Sequence, residues 1–204
     1  MSAPRQSAVP TTRPARDLAL VAIFAGIIAV LGLLPALYAF GAAVPITAQS
    51  MGVMLAGAVL GGRRGALAVV LFLSLVAVGL PLLASGRGGL GVFFGPSVGY
   101  LLGFAVAAFV TGWVTHRGGP SYHLVRGVVA NILGGIAVLY VFGIAGTALV
   151  ADLSLEAAAL SALVFLPGDL VKAVLAAVVA RGVHRSYPGL IGAGAAHAKQ
   201  TSAV

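Results

Sequence analysis

The chain has 204 residues, of which 60% are hydrophobic and only 8% charged, with a mean hydropathy of +1.11 and a formal net charge of +8. A soluble domain carries roughly 25% charged residues, so this composition excludes a water-covered globule and makes lipid the solvent for most of the surface. The chain has no cysteine, which excludes disulfides, thiol catalysis and Cys-ligated zinc or iron–sulfur centres.

Residues 1–17 are polar and proline-containing and are expected to form a disordered tail. Arg5, Arg13 and Arg16 followed by an apolar run look like a signal peptide, but Leu18–Leu34 is longer than the roughly 7–15 residues of a signal h-region. A retained first helix is therefore predicted over 18–36. It carries two small-xxx-small pairs on adjacent strips, Ala22 with Gly26 and Ala25 with Ala29. Such spacing lets another helix approach closely, either within the chain or in a partner membrane subunit.

Residues 37–48 read as a loop or re-entrant segment ending in Pro45 and Thr47, and Gln49 opens a short second span over 49–62. Thr47 and Gln49 are candidates either to cap that helix or to face a ligand. Gly61-Gly62-Arg63-Arg64 ends it, and a third span covers 65–83, broken by Gly79 and Pro81. The glycine-rich stretch around Arg87, next in the chain, is read as a flexible lid, because glycine adopts backbone conformations that other residues resist. No GxxxxGK[ST] run is present, so the chain has no P-loop of its own. The fourth span, 95–115, opens at Gly95-Pro96-Ser97 and carries Tyr100, which is suited to stacking on a ligand or to an interfacial belt with Trp113.

A fifth span covers 124–149 and holds Asn131, expected to hydrogen-bond between helices; a sixth covers 157–180. With the N-terminus inside, ten basic residues fall on the cytoplasmic side and only Arg87 falls in an outer loop. This bias predicts an all-α integral membrane protein of six transmembrane helices with both termini cytoplasmic. The parts are a tail over 1–17, a membrane domain over 18–182 and a C-terminal tail over 183–204. The basic residues serve topology in this reading, and no nucleic-acid partner is expected.

The sixth span contains Pro167-Gly168-Asp169-Leu170-Val171-Lys172. Asp169 is the one acid, of four in the chain, that lies in an apolar run, and Lys172 is one of two lysines. At i and i+3 they share a helix face. Intramembrane charges are costly and mark ligand or ion sites when they are not mutual glue. Pro167 and Gly168 are expected to interrupt the helix beside the pair. Lys172 would then hold a carboxylate, and Asp169 would accept N–H donors. The histidines fall in inner loops or the tail without metal-binding spacing, and no nucleophile–base constellation can be assembled, so neither a metal cofactor nor an enzyme is expected.

These pieces in order resemble the BioY family, the biotin-specific substrate-capture subunits of energy-coupling-factor (ECF) transporters. The likeness rests on Pro45-Ile46-Thr47-Ala48-Gln49, Gly52 to Gly57, Leu60-Gly61-Gly62-Arg63-Arg64, Gly79-Leu80-Pro81, Gly95-Pro96-Ser97 to Phe104, and Leu166-Pro167-Gly168-Asp169-Leu170-Val171-Lys172. Ser97-Val98 departs from the threonine and glycine found there in many members. The resemblance implies a six-helix protein of the cell membrane that binds biotin near its outer side as transported ligand. It implies partners in a transmembrane coupling subunit, docking on the first helix, and cytoplasmic ATPases. Asp169 and Lys172 match the family's Pro-Gly-Asp-x-x-Lys motif and would contribute to the biotin site. Two alternatives stay open: a subunit for another vitamin or small carboxylate, and a structural or assembly membrane protein in which the pair only fixes packing.

Overall fold

The computed structural model of the chain describes residues 13–36, 44–117, 119 and 121–187. Among these residues the backbone forms six helices: α1 (Arg13–Gly32), α2 (Gln49–Leu60), α3 (Gly62–Ala77), α4 (Val98–His116), α5 (Leu124–Val150) and α6 (Leu155–Ser186). Short 3-10 turns at Ala84–Gly86 and Leu90–Phe94 lie between α3 and α4. The all-α class expected from composition is present. Four helices (α1, from Pro14, with α4, α5 and α6) are long and apolar enough to cross a membrane, whereas α2 is apolar but has 12 residues and α3 has 16.

Helix ends differ from the sequence reading for physical reasons. α1 starts at Arg13, ahead of the expected residue 18, and its first turns are tied down where Arg64 Nη1 donates to Asp17 Oδ1 at 3.0 Å. α3 ends at Ala77 because Gly79, at φ +108°, turns the chain in a region that glycine alone adopts freely. α6 runs on to Ser186, beyond the expected 180. Arg185 sits in its last turn, where a cation suits the helix dipole.

α4 is the centre of the bundle, packed on α2, α3 and α5, while α6 lies against α2 and α5, and α1 against α2 and α3. α2 is short because it is interior: every residue but Met51 is buried, so it needs no lipid-matching length. The α4–α5 crossing is closed by glycine. A Cβ at Gly99 would strike the carbonyl of Phe142, and one at Gly143 would strike the ring of Tyr100. Small residues at such crossings let dispersion contacts form backbone to backbone.

Two helices depart locally from regular α geometry. α5 contains a π-helical turn at Leu133–Val138, where Gly134 meets Thr111 and Gly135 meets Met54. α6 tightens into a 3-10 turn at Leu163–Phe165 just before Leu166, so the expected interruption at Pro167-Gly168 is a narrowing of a continuous helical path. Pro167 stands in the first turn of the succeeding α-helical stretch, where its missing N–H breaks no helical bond.

Candidate functional site

One end of the bundle opens into a cavity of about 560 Å³, counted out to its mouth. Its wall comes from the segment before α2, the first turn of α2, the Leu83–Arg87 turn, the start of α4, the second half of α5 and the middle of α6. Small-molecule sites are mostly apolar with a few placed polar groups, and this lining has that character. Apolar wall is supplied by residues such as Leu101, Phe104 and Leu139.

Asp169 and Lys172 face this cavity together. Lys172 Nζ donates to Asp169 Oδ1 at 2.9 Å, to the carbonyl of Thr47 at 2.7 Å and to Ser50 Oγ at 3.3 Å. An ammonium has three N–H donors, so all of them are spent inside the protein. Ser50 Oγ in turn donates to Asp169 Oδ1 at 3.3 Å, and Tyr140 Oη donates to Oδ2 at 2.9 Å. The carboxylate is 4% exposed at the residue level and its charge is matched on the spot. A buried pair of this kind is tolerable only when the remaining lone pairs and protons are largely met, and here every ammonium proton and both carboxylate oxygens have partners. Oδ2 carries a single neutral donor, which leaves it the more open of the two oxygens toward a further N–H.

Arg87 lines the same cavity with a different status. Its backbone carbonyl accepts from Leu83 N at 3.0 Å and its Nε donates to the carbonyl of Ala84 at 3.3 Å. Among the described residues no carboxylate lies within ion-pair distance of its guanidinium. The stretch carrying it is an ordered turn, where the sequence suggested a flexible lid: Gly86 N donates to the Leu83 carbonyl and Gly89 N to that of Val76.

The other residues picked out from sequence divide between cavity wall and helix packing. Thr47 lines the cavity and offers its carbonyl to Lys172. Gln49 is 2% exposed and spends its side-chain amide on backbone groups at both ends, without capping α2. Tyr100 forms cavity wall, its ring edge-on to Tyr140 at 6.5 Å and to Phe165 at 6.0 Å, away from the exposed Trp113 on the same helix. Asn131 bridges helices, Nδ2 to the carbonyl of Ala173 at 2.8 Å. On α1 the two strips part company. Ala25 is buried and Ala29 half-buried against the bundle, while Ala22 and Gly26 face outward, and a Cβ at Gly26 would meet nothing within 4 Å among the described residues.

Ser50 and Tyr140 escaped the sequence reading. A lone serine and a lone tyrosine in apolar spans carry no pattern, and only helix packing brings them to Asp169. At the opposite end, His116 and His184 are packed together with Tyr122, whose hydroxyl donates to the carbonyl of Ala177 at 3.1 Å. The sequence placed these histidines in inner loops or the tail; both stand on helices instead.

Comparison with known proteins agrees with this architecture. A structure described as the S-component for biotin from an ECF-type ABC transporter superposes with a TM-score of 0.82 at 31% identity, covering 87% of this chain and 95% of the other. The biotin transporter BioY of Rhizobium etli is 50% identical over 178 residues, 85% of this chain and 95% of its own. That of Rhodobacter capsulatus is 47% identical over 185 residues, 86% and 97% respectively. The BioY family model matches residues 4–189, and with that extent of agreement the chain belongs to the BioY family.

Proposed function

We propose that this chain is the biotin-binding membrane subunit of an ECF-type uptake transporter, capturing biotin from the outer side for import. The observation that carries the reading is the cavity itself, with a self-satisfied Asp169–Lys172 pair and the guanidinium of Arg87 on one mostly apolar wall. Biotin has a ureido ring with two N–H donors and one acceptor, an apolar body and chain, and a terminal carboxylate. Asp169 Oδ2 suits a ureido N–H. Lys172, held by three acceptors of its own, stabilises the negative form of Asp169 rather than a second carboxylate. The valerate carboxylate falls instead to Arg87, whose planar fork matches it in two parallel hydrogen bonds. Tyr100 and Phe104 pack on the apolar parts.

The role is binding and delivery, with no bond broken. All six helices cross the cell membrane with both termini cytoplasmic. The distribution of Arg63, Arg64, Arg117, Arg126, Arg181 and Arg185 at the end away from the cavity supports this orientation. A transmembrane coupling subunit docks on the outward strip of Ala22 and Gly26, and cytoplasmic ATPases supply the energy.

Equilibrium binding of biotin to the purified protein tests the reading. Saturable binding at micromolar biotin or below is expected, and its absence sinks the biotin assignment in favour of another vitamin or small carboxylate. Lys172→Ala separates a ligand site from packing glue. Either way the variant leaves Asp169 a buried carboxylate without its cation and lowers Tm; the site predicts lost binding in the protein that stays folded, and glue predicts binding and uptake unchanged in whatever protein survives.

A further inference from the structure

Three elements meet at the side chain of Gln49. Its Nε2 donates to the carbonyl of Leu82 at 3.0 Å and lies 3.4 Å from that of Ile28 on α1, and its Oε1 accepts from Ala84 N at 3.3 Å. Gly32, the last residue of α1, completes the node. A Cβ there would strike the Leu82 carbonyl and come within 2.7 Å of Gln49 Nε2. The amide therefore grips the backbone on both sides of Leu83. Arg87 is fixed to those same residues, through Leu83 N to its carbonyl and through its Nε to the Ala84 carbonyl.

The flanking residues of Gln49 serve the other charge centre. Thr47 presents its carbonyl to Lys172, and Ser50 binds both Lys172 and Asp169. One run of four residues, 47–50, thus touches both polar ends of the cavity. At 2% exposure, with Nε2 and Oε1 both bonded to backbone groups, the Gln49 side chain is committed to holding the wall of the cavity it lines.

We infer that Gln49 is a positioning residue: it sets the distance from the Arg87 guanidinium to Asp169, and so the length of ligand the cavity accepts. It also registers that distance to α1 through Ile28 and Gly32. The inference rests on the assignment of Arg87 to the ligand carboxylate. It gives α1 a direct mechanical line to the site, since a displacement of Gly32 moves the Leu82 carbonyl and the turn that carries Arg87.

The test is calorimetric binding of biotin and of biotin methyl ester to the full chain in detergent. Arg87→Ala is expected to weaken biotin roughly 10- to 100-fold while leaving the ester nearly unchanged, the range for a hydrogen bond to a charged group. Gln49→Leu is expected to reproduce this acid-selective loss at roughly tenfold, and to add little in the Arg87→Ala background. Gly32→Ala, which presses on the node from α1, should do the same and serves where Gln49→Leu does not give a monodisperse protein. Equal weakening of acid and ester by Gln49→Leu and Gly32→Ala, or a loss that adds in full to that of Arg87→Ala, overturns the positioning role while leaving the Arg87 assignment standing. Equal weakening of acid and ester by Arg87→Ala overturns that assignment and the inference with it.

Discussion

The hydroxyl of Tyr140 donates to Asp169 Oδ2 at 2.9 Å, on the oxygen that neither Lys172 nor Ser50 engages. It holds the carboxylate in one rotation and leaves one lone-pair direction for an incoming donor. Tyr140→Phe keeps the ring and its edge contact with Tyr100 while removing this bond. A hydrogen bond to a charged group is worth about 1.5–3 kcal/mol, so biotin affinity should drop roughly tenfold or more in a protein that remains folded. Unchanged affinity in calorimetry would remove Tyr140 from the site.

Asp169→Asn should be far more damaging. It leaves Lys172 as a buried charge with neutral acceptors alone, the Thr47 carbonyl, Ser50 Oγ and the amide oxygen, and no countercharge. Breaking such a pair costs about 3–5 kcal/mol, visible as a lowered Tm in detergent together with loss of biotin binding. Asp169→Asn combined with Lys172→Met should regain most of the Tm and none of the binding. Stability and recognition would then be separated in one pair of measurements.

The outward strip of α1 predicts the reverse dissociation. A Cβ at Gly26 has no atom of the described residues within 4 Å and the position faces outward, so Gly26→Leu should leave Tm and biotin affinity as they are. Uptake by the assembled transporter should fall sharply, as should co-purification of the coupling subunit. Retained uptake would move the docking face elsewhere.

Gly99→Val tests the α4–α5 crossing. The new side chain has the Phe142 carbonyl and the Cα of Gly146 in its way, and overpacking of this kind costs on the order of 1–3 kcal/mol, more when backbone must move. Tm should drop, and biotin affinity with it, because Tyr100 is the next residue along and its ring is seated over Gly143. An unchanged Tm would mean that the helices separate without penalty.

Much of this was legible in the sequence because charge is so scarce there. Asp169 and Lys172 stood out as acid and base in a run that lipid would otherwise claim, and the arginine clusters outlined the helices between them. The apolar composition that reveals a span also hides its ends. Arg13–Asp17 read as tail, yet it is helical where Arg64 holds Asp17. Gln49 was legible as important and ambiguous in kind, since a buried amide serves a ligand or a backbone equally well until the neighbours are known. Ser50, Tyr140, His116 and His184 belong to tertiary proximity alone, and no spacing along one helix announces a partner on another.

The π-helical turn at Leu133–Val138 shifts the phase of α5. Asn131 and Tyr140 are nine positions apart, about 900° of rotation in an uninterrupted α-helix, which would place them on opposite sides. The wider turn takes back about one residue's rotation, roughly 100°, so both side chains come round to α6, one on the Ala173 carbonyl and one on Asp169. The helix therefore counts its residues in two frames that agree only because the wide turn absorbs one surplus position. A single-residue deletion within the wide turn would restore a regular helix of eight steps, about 800°, and keep both anchors in phase, whereas nine regular steps would present the wrong side to one of them. In a span of this length, regularity is the defect and the irregular turn is the information.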